Sequence, residues 1–157
     1  MAIMLQEEGL YDRCLIYATD MNERVLGRAR EGCFPLDATE RDAGNYLCAG
    51  GKKRLADYYQ STGGSAIFRA SLKENILFCP HNLTMDRSFN EFNVILCRNV
   101  LIYFKNTLQQ RVHSLLYESL ARFGILGLGH KESLQLTPHE SDYELLEPEW
   151  KIYRRVR

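Results

Sequence analysis

Nowhere does this sequence run apolar for the roughly 20 residues that a membrane-spanning helix requires. Its opening, Met1–Leu5, is followed at once by Glu7 and Glu8 and is too short for the apolar core of a secretory signal. Charge of one sign is missing as well. Twenty basic residues balance twenty acidic ones, which removes any global case for nucleic acid or an anionic membrane as partner. The local cluster Lys151, Arg154, Arg155 and Arg157 reads as a solvated strand face. The five cysteines (14, 33, 48, 79, 97) include no C-x-x-C, so neither zinc nor a disulfide framework is indicated. Scattered odd thiols suit the reducing cytoplasm. His81, His113, His130 and His139 show no metal-ligand spacing, and no repeat or low-complexity segment is present. What remains is a chain of 157 residues, 45 % hydrophobic and 25 % charged. That is one soluble domain's worth, long enough to bury a sizeable core.

The stretch from Asn93 to Phe104 organises the rest. Val94, Ile95 and Leu96 form an apolar run, Cys97, Arg98 and Asn99 interrupt it, and a second apolar run reaches Phe104. A continuous apolar run bounded by polar residues predicts a strand buried on both faces. Arg98 and Asn99 then fall at its carboxyl end, the edge where open α/β sheets bind ligands. Two readings fit these residues alone: a ligand-facing pair, or a satisfied salt bridge beside a turn-forming asparagine.

Taken in order, Ala2–Glu8 reads as the last turns of a helix stopped by Gly9. Cys14–Ala18 is a strand ending in Thr19-Asp20. Asn22 caps a helix through Arg30, with Val25, Leu26 and Ala29 inward and Gly32 as the stop. Phe34–Ser65 is irregular, with one helical hint from Leu47 to Tyr59 and a glycine turn at Ser61–Ser65. Ile67–Ala70 and Ile76–Cys79 are short strands, suggesting a small antiparallel excursion. Asn106, with Gln109 in capping-box position, opens a helix that runs to Phe123 and closes at Gly124. Ile125–Gly129 is a glycine-rich strand, and Tyr143–Leu146 with Trp150–Arg154 makes a terminal hairpin. Alternating strands and helices predict an α/β fold with an antiparallel edge.

The segments A-T-D-M-N-E-R-V-L-G-R-A-R, H-N-L, C-R-N-V-L-I-Y-F and G-H-K-E-S, in that order, resemble the chemotaxis receptor methyltransferases of the CheR type, and the likeness spans Ala2 to Arg157. It implies a Rossmann-like domain of mostly parallel sheet that binds S-adenosylmethionine (SAM), with S-adenosylhomocysteine as product. The whole chain, 1–157, would be that domain, with a small antiparallel β-subdomain at about 58–78. Asp20 would receive the SAM ribose hydroxyls, the alternative being a residue that merely leads into the following helix. Asn82 and Leu83 would hold the adenine end, or form a plain loop. Arg98 and Tyr103 would flank the methyl, with Asn99 shaping the strand end beside them; Tyr103 could instead be core filler.

The implied reaction is cytoplasmic methylation of glutamates in a chemoreceptor's cytoplasmic domain. A glutamate is already ionised near neutral pH and needs no general base. Placement is what matters, and arginine supplies a fork-shaped charged donor. Lys131 stands where the family more often has serine. The β-subdomain is where the family can dock a receptor tail peptide. The family also carries an N-terminal helical domain, then a first strand and a loop of the form G-C-S-T-G-E-E-x-Y-S, ahead of the helix ending at Gly9. Their absence predicts a truncated chain whose strands at Cys14–Ala18 and Asn93–Leu96 lose a central neighbour. They would pair directly or with a second copy, making a homodimer. The competing expectation is an inactive remnant that only binds receptor or signalling partners.

Overall fold

Short apolar runs alternating with amphipathic segments give two units in the computed structural model, which describes residues 1–157: Met1–His81 and Asn82–Arg157. In the first, helix α1 (Ala2–Glu7) ends before Gly9, whose φ of +66° suits glycine. Strand β1 (Ile16–Asp20) begins later than the apolar run suggests and takes in Thr19 and Asp20. Helix α2 (Glu23–Glu31) is capped as expected: the Arg24 N–H donates to Asn22 Oδ1 at 3.0 Å, and Gly32 closes it in the left-handed conformation. Leu26 faces the core, whereas Val25 is 46 % exposed, against expectation. Leu26 is the one buried residue in the nine of this helix.

The irregular middle holds more order than its composition suggests. Strand β2 (Cys33–Pro35) leads into helix α3 (Leu36–Cys48), which the sequence reading missed. Thr39 is its only buried residue, its hydroxyl donating to Pro35 O at 3.0 Å. With so narrow an apolar stripe, periodicity has little to register. After a 3-10 turn (Leu55–Tyr58), β3 (Tyr59–Thr62) and β4 (Ser65–Phe68) form a hairpin through Gly63 and Gly64. Both glycines have positive φ, as the tightest hairpin turns require. The sheet order is β2-β4-β3, all antiparallel. Strand β5 (Ile76–Pro80) is not part of it. It runs parallel to β1, with Asp20 opposite Pro80. The antiparallel sheet therefore recruits Cys33–Pro35 and releases Leu77 and Phe78, unlike the 58–78 span expected. α2 packs on β1 and β5, and Arg30 donates to Phe78 O at 2.8 Å.

In the second unit, β6 (Phe92–Cys97) pairs parallel with β7 (Leu120–Leu128); β9 (Ile152–Arg155) lies antiparallel to β7, and β8 (Tyr143–Glu147) closes the order β6-β7-β9-β8. Helix α4 (Asn106–Ser119) supplies Val112 and Leu116 to a core shared with Leu101, Leu120, Leu126, Leu128, Leu134 and Tyr153. The helix is shorter than its periodicity implies. Leu120 turns directly into β7, whose pairing with β6 slips at Phe92/Val94 while Phe123 adopts φ +65°. Asn106 is not its cap either; Lys105 holds that place, and the Gln109 amide donates instead to Leu101 O and Phe104 O.

The expected α/β class is present, with parallel pairs β1–β5 and β6–β7, a terminal antiparallel hairpin and a separate small antiparallel sheet. β6 is not buried on both faces, however: Val94 is 49 % and Leu96 53 % exposed. Leu96 lies across Gly127, where an added Cβ would come within 2.7 Å of its Cδ2. β1 pairs with β5 and β6 with β7, each within its own unit. No helix is long and apolar enough to cross a membrane.

A carboxylate ties the first unit together. Glu7 Oε1 accepts the Tyr46 hydroxyl at 2.5 Å and the Tyr58 hydroxyl at 2.8 Å, and Oε2 accepts the Lys52 N–H at 3.0 Å. These donors, Tyr46 first, pull the Glu7 carboxyl from its ordinary 4.5 down to about 2. Because the folded value is the lower one, the tie stabilises the fold above about pH 4.5 and loses that contribution as pH falls toward 2. Thermal melts between pH 5 and about 2 should show Tm falling with acid, and Glu7→Gln should be less stable at pH 7 and flatter across that range. An unchanged pH slope in the variant would contradict the assignment.

Candidate functional site

The carboxyl ends of the parallel strands carry the chain's sparse polar groups. In the first unit, Asp20 ends β1 half-buried. Its Oδ1 accepts the Asn22 N–H at 2.8 Å, and its carbonyl accepts the His81 N–H at 3.1 Å. Asn22 in turn caps α2, so strand end and helix start are fixed by one short chain of bonds. No ion pair includes Asp20. Asn22, Arg24, Val25 and Arg28 line a shallow cavity of about 130 Å³ at this point.

In the second unit, Asn82 opens a turn with its own side chain. Its Oδ1 accepts the Thr84 N–H at 3.0 Å and the Thr84 hydroxyl at 2.7 Å, while its N–H donates to Asp86 Oδ2 at 2.7 Å. This Asx-turn geometry leaves the Asn82 amide nitrogen as the group still able to donate. Leu83 packs against the core cluster that holds Leu101 and Cys97.

Arg98 and Asn99 follow β6 directly. Arg98 is exposed and enters none of the ion pairs, so the salt-bridge reading finds no partner for it. Asn99 sits at φ +60°, uncommon for a residue with a side chain. The apolar run after it coils into a 3-10 turn (Leu101–Tyr103), with Leu101 as buried anchor and Tyr103 81 % exposed. Tyr103 is therefore not core filler. Leu101 is the buried anchor of this run, Val100 and Phe104 pack against the same core from either side, and Ile102 and Tyr103 are left exposed.

One group went unnoticed in the sequence. Glu132, in G-H-K-E-S, is 5 % exposed and accepts backbone N–H groups from both strand ends. Oε1 takes Val100 at 2.8 Å and Leu101 at 2.7 Å; Oε2 takes Asn99 at 3.0 Å and Gly129 at 2.6 Å. A single glutamate in a polar loop carries no periodic or spacing signal; its place in G-H-K-E-S, one of the segments that carry the family likeness, was the one pointer to it. Beside it, burial and then the Glu132 charge push the Cys97 thiol up to about 12. His113, buried in α4, is held below its ordinary value chiefly by desolvation.

The family described as CheR methyltransferase, SAM binding domain, matches residues 1–152. The chain belongs to the CheR methyltransferase family. It is 42 % identical over 155 residues to a putative methyltransferase, Cher3, of Pseudomonas putida, covering 99 % of this chain and 57 % of that protein. It is 33 % identical over 129 residues to chemotaxis protein methyltransferase 2 of Pseudomonas aeruginosa, covering 79 % and 44 %. With chemotaxis protein methyltransferase 1 of Vibrio cholerae the figures are 30 % over 134 residues, 84 % and 46 %. The chain thus spans about half the length of the curated relatives it matches.

The family domain takes SAM, and the donor set is compatible with it. A ribose diol offers two O–H donors, and Asp20 is a carboxylate with no cation claiming it. The Asn82 amide nitrogen is a donor, as an adenine ring nitrogen needs. Cys97, buried with its thiol pushed up, is not available as a nucleophile near neutral pH. Native chain treated with iodoacetamide at about pH 8 should be alkylated at exposed Cys33 and Cys48 and spared at Cys97. Mass spectrometry reads the outcome, and rapid labelling of Cys97 would show that the strand end is open.

Proposed function

We propose that this chain carries the cofactor and methyl-transfer residues of a SAM-dependent protein-glutamate O-methyltransferase acting on chemoreceptors. The observation that carries the reading is Arg98: an exposed guanidinium with no acidic partner, on a segment fixed at the carboxyl end of β6. Asp20 is assigned the ribose hydroxyls, Asn82 and Leu83 the adenine end, and Asn99 the shape of the strand end. Bound SAM supplies a sulfonium methyl that a carboxylate oxygen can take, the C–S bond electrons staying on sulfur. The substrate glutamate arrives ionised, so no residue of the chain has to remove a proton. Arg98 orients that carboxylate with a planar fork, which a lysine would not reproduce. Tyr103, exposed one turn further on, presents a hydroxyl and an aromatic face to the same region.

A second reading is favoured by the small sheet. β3 (Tyr59–Thr62) is an edge strand of order β2-β4-β3, and an edge strand can accept an extended tail peptide of a receptor. In that case the chain binds its partner without turning over. β1 and β6 are outer strands of the orders β1-β5 and β6-β7-β9-β8, and an outer strand can add a strand of a second copy to make a homodimer.

Calorimetric titration of the purified chain with S-adenosylhomocysteine should show binding. Asp20→Ala should weaken it by about 1.5–3 kcal/mol, the scale of hydrogen bonds to a charged group. Methyl incorporation into receptor should fall with Arg98→Lys, since a lysine keeps the charge and loses the fork. Receptor binding with no S-adenosylhomocysteine binding would replace the enzyme reading with the partner-binding one. Sedimentation at high concentration should give a dimer that is lost when Leu96 is made Lys. A monomer at all concentrations would remove the strand-addition proposal.

A further inference from the structure

Glu132 holds more than its loop. Asn99 (φ +60°) is followed by Val100 in the right-handed region (φ −109°, ψ −46°). A left-handed residue next to a right-handed one aims successive N–H groups at a single point, a concavity that binds anions. Here the N–H groups of Asn99, Val100 and Leu101 converge on the Glu132 carboxylate at 3.0, 2.8 and 2.7 Å, and Gly129 adds a fourth from the end of β7 at 2.6 Å. The site admits nothing more. A Cβ on Gly129 would lie 2.6 Å from Glu132 Oε2 and 2.7 Å from Asn99 N. None of the ion pairs includes Glu132, and the hydrogen bonds its carboxylate accepts all come from backbone N–H groups. A buried carboxylate of that kind needs all of its donors.

We propose that Glu132 is the positioning residue of the methyl-transfer site: by filling the anion-binding concavity at Asn99–Leu101, it fixes the direction in which Arg98 and Tyr103 leave the β6 strand end. The proposal rests on the methyltransferase reading above and deepens it. Two consequences follow for that site. The left-handed turn at Asn99 is held by the carboxylate, so the peptide after Arg98 has one orientation rather than two. The concavity is also filled from within, so an incoming substrate carboxylate does not settle there, and Arg98 remains the cationic group on offer.

Glu132→Gln tests this on the whole chain, because it keeps size and loses both the charge and one accepting oxygen. Amide exchange at Asn99, Val100, Leu101 and Gly129 should quicken at least tenfold, while Leu126 and Leu128 keep their protection. The Arg98 Nε and Tyr103 ring resonances should move, and S-adenosylhomocysteine Kd should rise at least tenfold. Leu116→Ala, which loosens the core instead, should leave those two resonances in place. Faster exchange with unmoved Arg98 and Tyr103 resonances and unchanged affinity would reduce Glu132 to a fold-holding role and overturn the proposal. A wild-type chain that binds no S-adenosylhomocysteine would sink the methyltransferase reading, and the same two resonances would still decide whether Glu132 sets their position. Should Glu132→Gln not fold, Glu132→Asp, whose shorter arm reaches only part of the N–H row, gives the same readout.

Discussion

A carboxylate surrounded by backbone N–H groups is the interaction on which the second unit turns. Parallel strands leave their carboxyl ends as loops with unsatisfied donors, and something must meet those donors inside the protein. Glu132 meets four of them. In doing so it joins the loop after β6 to the loop after β7, two segments distant in sequence. The apolar anchors follow from this. With Asn99–Leu101 fixed, Leu101 drops into the core beside Val112 and Leu128, and Ile102 and Tyr103 are turned outward. A polar contact thus decides which members of an apolar run are spent on packing.

The first unit uses the same device with different donors. Glu7, at the end of α1, gathers two tyrosine hydroxyls and a backbone N–H from segments far along the chain. Tyr46 packs so closely on Gly51 that a Cβ there would meet its ring at 2.3 Å, which holds the phenol in reach of Glu7. Lys52 completes the arrangement by pairing with Glu8 at 2.8 Å, a contact exposed enough to count for little by itself. Both units thus spend buried or half-buried negative charge on joining segments that hydrophobic burial alone would leave loosely placed.

The elements legible in the sequence were those with local signals. Asn22 and Gly32 bracket α2 because capping chemistry is read within a few residues. The Gly63-Gly64 turn and the terminal hairpin were legible for the same reason, but the strand Tyr59–Thr62 that enters the turn was not. α3 was not, because a helix that buries only Thr39 writes no apolar stripe. The end of α4 was misplaced because Leu120 and Phe123 continue its period, while Leu120 pairs with Phe92 of β6 and Phe123 lies within β7, and tertiary pairing outweighs propensity there. At the site, Arg98 and Asn99 stood out as polar residues in an apolar run, and the roles of Asp20, Asn82, Leu83 and Tyr103 came from family likeness. The role of Glu132, although it stands in the G-H-K-E-S segment, was not legible, since its partners are backbone groups that no residue identity announces.

The contact of Leu96 with Gly127 has a consequence for inheritance. The two residues face each other across β6 and β7 in register, and the leucine occupies the space that any side chain at 127 would need. A larger residue at 127 is admissible only if the residue at 96 shrinks in the same lineage, or turns its side chain away from the sheet. Drift at these two positions is therefore not independent: the strands should exchange bulk as a pair, and a sequence that changes one without the other carries the mismatch in its sheet.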